Sequence, residues 1–115
     1  GYRYGVPGEA DMVFDVRFLP NPNYVPALKQ CTGNHKKVAE YVLQSKPSEE
    51  FSQKLEDVID FLLPLFEREG KSYLTVAFGC TGGRHRSVVF ANKLGKFLKK
   101  KGFETSVTHR DIRKK

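Results

Sequence analysis

Tyr73-Leu74-Thr75-Val76-Ala77-Phe78 runs directly into Gly79-Cys80-Thr81-Gly82-Gly83-Arg84-His85-Arg86-Ser87, and the reading of this junction decides the fold. The leading stretch is β-branched and aromatic, and too continuously apolar to alternate, which is the pattern of a central strand covered on both faces. The glycines after it permit a tight turn. From His85 to Lys101, Val88, Ala91, Leu94, Phe97 and Leu98 recur at helical spacing with lysines outward, so an amphipathic helix leaves the turn. Gly102 caps that helix, and Glu104–His109 (ETSVTH) reads as a further strand. Strand, glycine turn, helix and strand in this order make a parallel unit with a right-handed crossover. The expected fold class is α/β, a small central and mostly parallel sheet flanked by helices.

Outward from this core, Met12–Phe18 (MVFDVRF) reads as a buried strand carrying Asp15 and Arg17, stopped by Leu19-Pro20-Asn21-Pro22. Asn21–Asn34 reads as a long irregular loop and Lys37–Gln44 as a short helix. Pro47-Ser48-Glu49-Glu50 is a helix start with Ser48 as the expected N-cap. Phe51, Leu55, Val58, Ile59, Leu62, Leu65 and Phe66 then share one face. Pro64 is expected to kink the last turn and Gly70 to end it.

A chain of 115 residues fits one domain and can bury a real core. No apolar run approaches the roughly 20 residues of a membrane span, which sets the expectation of a cytoplasmic protein without a membrane partner. In that compartment a Cys31–Cys80 disulfide is disfavoured. Gly1 leads the chain and its one methionine, Met12, lies inside an apolar run, so the sequence reads as a domain excised from a longer protein. The formal charge of +7 is placed unevenly. Lys93, Lys96, Lys99, Lys100, Lys101, Arg110, Arg113, Lys114 and Lys115 face only Glu104 and Asp111 beyond residue 92, whereas the earlier residues balance to zero. The excess points to an anionic partner. Aromatic interleaving is weak there, so stacking of single-stranded bases is not suggested.

Gly79–Ser87 joins the carboxyl end of a strand to a helix N-terminus, the place where open α/β sheets bind ligands. Inward-turned backbone N–H groups and the helix dipole favour an anion, with Thr81, Ser87, His85 and Arg86 as further donors. Three other readings stand beside phosphate binding. The glycines alone fit a structural turn. Cys80-x-x-Gly83-x-x-Arg86-Ser87 also fits the phosphate loop of cysteine-dependent phosphatases, with Asp15 or Asp111 as the acid, although Gly79 stands where those enzymes commonly have histidine. Cys31-x3-His35 with Cys80-x4-His85 offers four zinc donors at loose spacing.

Asp11–Pro22 (DMVFDVRFLPNP) and Ser72–Val88 (SYLTVAFGCTGGRHRSV) resemble the RapZ family of RNase adapter proteins, as does the closing His109-Arg110-Asp111. The resemblance runs over essentially the whole chain. It implies a C-terminal domain whose fold is like a phosphofructokinase subdomain. It also implies an N-terminal P-loop domain, outside this chain, as the place of any ATP or GTP, so no cofactor is expected in this domain. The implied activity is not enzymatic: glucosamine-6-phosphate is bound, and small regulatory RNA is bound and presented to an endoribonuclease, by a protein that forms homo-oligomers. Carried over by position, the ligand residues are Asp15, Arg17, Cys80, Thr81, Gly82, Gly83, His85 and Arg86. Asp15 suits an amino or hydroxyl group and the turn suits the phosphate; a purely structural Asp15–Arg17 ion pair is the alternative. Lys99, Lys100, Lys101, Arg110, Arg113, Lys114 and Lys115 are the expected RNA contacts, with a solvated helix face and basic tail as the alternative. The sequence departs from the family at Asn23 and at Thr32–Lys37, so contacts from that loop are not carried over.

Overall fold

Parallel strands need a long crossover, and here residues 16–75 provide it. The computed structural model describes residues 10–71 and 73–109, in which β1 (Met12–Asp15) pairs in parallel with β2 (Val76–Gly79). Between them lie a 3-10 turn at Pro22–Tyr24 and two helices, α1 (Lys36–Leu43) and α2 (Lys46–Arg68); α3 (Arg86–Lys100) follows β2. The domain is α/β with a small parallel sheet and three helices among the described residues. None of these helices is long and apolar enough to cross a membrane.

The sheet is packed by rings. Phe14 stacks on Phe78 at 5.7 Å, and Phe51 of α2 meets Phe14 at 6.0 Å and Phe90 of α3 at 5.2 Å. Val16, Val38, Val42, Ile59 and Phe90 are fully buried around them. Burying side chains of this size contributes about 1.5–3 kcal/mol each, which is what holds four-residue strands in place.

Several local expectations need correction. Met12–Phe18 is not a buried strand: pairing stops at Asp15, Val13 is 40% exposed, and Arg17 and Phe18 turn away. Tyr73–Phe78 is not covered on both faces, and Tyr73 is 86% exposed. Among the described residues the sheet has two strands, so each is an edge strand. Glu104–His109 forms no strand. It lies along α3 instead, with Val107 so close to Gly95 that a Cβ there would stand 2.5 Å from Val107 Cγ2. Strand propensity reports a fit to a half-buried surface, and here a helix supplies that surface.

Helix boundaries follow their caps. Ser45, not Ser48, is the N-cap of α2, its Oγ accepting from the Ser48 N–H at 3.3 Å. The helix begins before Pro47 because proline is tolerated in a first turn. Ser48 is buried, and its hydroxyl donates to the Val42 carbonyl, tying α2 to α1. Pro64 lies inside α2, which continues to Arg68. Gly70 ends the helix at φ +79°, and its N–H bonds the Glu67 carbonyl at 3.0 Å.

Candidate functional site

Register brings the two sequence blocks together. Asp15 pairs with Gly79, and the Val16 N–H reaches the Gly79 carbonyl at 2.8 Å, so both strands deliver their carboxyl ends to one edge. From that edge the turn climbs to the N-terminus of α3. Gly83, buried at φ +78°, sits in left-handed backbone that an L side chain rarely adopts.

Cys80 is 3% exposed, and its Sγ lies 3.3 Å from Ser87 Oγ. Burial is the largest influence on this thiol and raises its pKa. The Ser87 hydroxyl, the Ser87 and Gly83 N–H groups and the Arg86 charge together more than offset it, leaving the pKa below the ordinary value. The turn therefore already gathers hydroxyl and backbone N–H groups around the Cys80 sulfur.

Arg86 is 5% exposed and donates from one terminal nitrogen to the Arg17 carbonyl at 2.6 Å and the Leu19 carbonyl at 3.3 Å. This single side chain fastens the start of α3 to the loop leaving β1. Asp15 and Arg17 pair through two carboxylate oxygens, at 3.0 Å from Nε and 2.6 Å from the terminal nitrogen. Both side chains are about half exposed. The hydrogen bonds from Arg17 hold the Asp15 carboxyl below the usual range, with the Arg86 charge adding to them. The ion pair is thus both a structural brace and an accessible donor–acceptor set. Thr81 is exposed, and open space surrounds Gly82.

His85 and Arg84 face the other way, onto residues 27–34. Burial holds His85 below its normal pKa, opposed by the nearby Cys31 and Lys29 backbone and assisted by Arg84. That backbone is close, yet Nε2 finds no partner of hydrogen-bond geometry among the described residues. The same is true of Arg84 Nε and Arg86 Nε. Arg84 donates to the Gln30 carbonyl at 3.2 Å, and the Gly33 N–H donates to the Arg84 carbonyl at 2.7 Å. Gly33 was legible only as loop punctuation. A Cβ on it would stand 2.5 Å from the His85 carbonyl oxygen, so glycine is required for this approach. Asn34, Asn92 and His109 form a further polar chain that sequence reasoning missed, because nothing local marks a long-range amide pair.

The expected cationic surface lies elsewhere. Lys99 and Lys100 are exposed at the far end of α3, roughly 20 Å from the turn at 1.5 Å per residue. Lys101 is engaged, pairing with Asp60 at 2.5 Å and lying 5.1 Å from the Phe97 ring centre. Arg110, Asp111, Arg113, Lys114 and Lys115 lie outside the described residues. Among the described residues no three His, Cys, Asp or Glu gather in a way that could hold a metal, and His35 caps α1 through Nδ1.

The family described as the RapZ C-terminal domain matches residues 1–113. The chain belongs to the RapZ C-terminal domain family. A nucleotide-binding protein of Caldanaerobacter subterraneus is 57% identical over 112 residues, which cover 97% of this chain and 39% of that protein. One from Thermoanaerobacter is 56% identical with the same coverage. One from Limosilactobacillus reuteri is 54% identical over 114 residues, 99% of this chain and 39% of that protein. This RapZ-family chain thus spans about two-fifths of the length of the relatives it matches.

Proposed function

We propose that this domain senses a phosphorylated amino sugar and binds small RNA as part of an RNase adapter, without enzymatic activity of its own. The observation that carries the sugar-phosphate reading is the meeting of two unlike elements at one edge. A backbone turn opens a helix N-terminus, with Arg86 buried in the wall behind it. An accessible carboxylate and guanidinium, Asp15 and Arg17, stand at the same edge. The first suits phosphate and the second an amine or hydroxyl. Glucosamine-6-phosphate carries both groups. Asp15, Arg17 and the residues Cys80, Thr81, Gly82, Gly83, His85 and Arg86 form the proposed site, with Arg86 and His85 acting from within the wall.

The name "nucleotide-binding" belongs to relatives much longer than this chain. We assign ATP or GTP to the remainder of such a protein and no cofactor to this domain. Family membership and the basic excess support small RNA and an endoribonuclease as partners, in a cytoplasmic homo-oligomer. Lys99, Lys100 and the residues after His109 are the RNA contacts in this reading. The site test is calorimetry with glucosamine-6-phosphate, glucosamine and inorganic phosphate. The sugar phosphate should bind best, and Thr81→Ala and Asp15→Asn should each weaken it. Equal absence of binding for all three compounds would refute the site.

One observation favours a cysteine phosphatase, namely the thiol held below its ordinary pKa next to Arg86. Two oppose it. The sulfur is nearly inaccessible, and the Arg86 guanidinium is committed to backbone carbonyls. No Cys80-dependent burst with an aryl phosphate is expected, and such a burst would reverse the assignment.

A further inference from the structure

We infer that Asn92 is a positioning residue for the anion turn, acting through Asn34 and Gly33, and that it fastens the C-terminal segment to the same device through His109. The inference rests on the turn being an anion site.

Asn92 stands on α3, well past the N-terminus that bears the turn. Its amide joins two partners from distant parts of the chain. Nδ2 donates to Asn34 Oδ1 at 2.8 Å, and Oδ1 lies 3.0 Å from His109 Nε2. With Nδ2 donating, Oδ1 is the acceptor, so His109 donates from Nε2. Asn34 follows Gly33, which touches the turn twice. The Gly33 N–H bonds the Arg84 carbonyl at 2.7 Å, and its α-carbon packs so closely that a Cβ would meet His85 O at 2.5 Å and Val88 Cβ at 2.7 Å. A loop held this tightly cannot shift without moving the Arg84–His85 peptide, and those peptides carry the N–H groups that open α3. Asn34 is exposed, and among the described residues its one other contact of this kind is its own N–H to Thr32 Oγ1 at 3.3 Å. The amide link to Asn92 adds a directional bond between that end of the loop and α3, beside the packing of Gly33 on Val88. His109 occupies the remaining side of the same amide, so the chain entering the basic end starts from a point fixed by the loop.

The test uses the whole chain and two variants. Asn92→Ala removes both bonds. Asn92→Asp keeps an acceptor for His109 and can accept from the Asn34 amide once that group turns over. In ligand-free protein, the backbone amide resonances of Gly33, Gly83, Arg84 and His85 should move in Asn92→Ala and return close to wild type in Asn92→Asp. Binding of glucosamine-6-phosphate or inorganic phosphate should weaken about fivefold in Asn92→Ala, the equivalent of one neutral hydrogen bond, and recover in Asn92→Asp. A merely structural role would lower the unfolding midpoint and leave those four amides in place, which would overturn the inference. If wild type binds neither compound, the anion site fails, while the amide resonances still decide whether Asn92 shapes the turn.

Discussion

The two ends of α3 carry the same sign of charge and opposite construction. At the N-terminal end, His85, Arg86 and Ser87 are buried, and Arg86 and Ser87 are tied to backbone carbonyls and a thiol. At the C-terminal end, Lys99 and Lys100 are exposed on a helix face, and Lys101 alone of the three has an ion-pair partner among the described residues. The first end holds geometry, which the proposed small-ligand site requires. The second holds charge without geometry, which suits a long polyanion whose backbone is met at many points. Buried polar groups are costly to disturb, whereas exposed charges are nearly free to change. The difference predicts how each end answers mutation.

Arg86→Ala should have the largest effect. It leaves the Arg17 and Leu19 carbonyls without their donor and opens a space in the wall. A stability loss of about 2–4 kcal/mol in chemical denaturation is expected, with anion binding lost as well. A loss below about 1 kcal/mol would mean the arginine is not the fastener described here.

Gly33→Ala comes next. The added methyl meets backbone at 2.5 Å, which cannot rotate away, so about 1–3 kcal/mol should be lost. Gly95→Ala is the control. Its obstacle is a Val107 methyl on an irregular segment, so denaturation should record the smaller loss of the two. Equal losses would erase the distinction between the rigid loop contact and the yielding one.

Cys80 separates the ends by pH. Its folded pKa lies below the ordinary value, so the folded state releases the thiol proton first. Its contribution is fully present above the unfolded pKa and is lost as pH falls through the folded one. The stability difference between wild type and Cys80→Ser should therefore grow as pH rises towards the model-compound value of 9.0. A difference that shrinks as pH rises would show that burial outweighs the surrounding donors.

The smallest stability effects belong to the lysines. Neutralising Lys99 and Lys100 should change stability by less than about 0.5 kcal/mol, and Lys101→Ala by up to about 1 kcal/mol through Asp60 and Phe97. RNA affinity should respond in the opposite order. Gel shifts at several salt concentrations should show a shallower salt dependence once Lys99, Lys100, Lys101, Arg113, Lys114 and Lys115 are neutralised, by somewhat less than one unit per lost contact. A structured hairpin should compete better than a single strand of equal length. Unchanged binding would leave these lysines as a solvated surface.

Much of the site was legible from local chemistry. Glycine spacing marks the turn, and the residue types around Asp15 and Gly79 mark both blocks without their register. The local pattern also placed α1, α2 and α3 within a few residues, because helical spacing and caps are properties of neighbours in the chain. Local pattern failed at Met12–Phe18, Tyr73–Phe78 and Glu104–His109, where the outcome depended on what covers each face.

The sequence by itself determined the helices, the α/β class, the glycine turn and the location of the basic excess, since each rests on side chains close together along the chain. Only the tertiary structure decided that Arg86 is spent on the carbonyls of Arg17 and Leu19. It alone decided that Gly33 braces the turn, that Val107 lies on Gly95, and that Asn92 joins Asn34 to His109. Those contacts link segments far apart in sequence, and buried donors take whichever acceptor packing brings near. No local pattern encodes which one that will be.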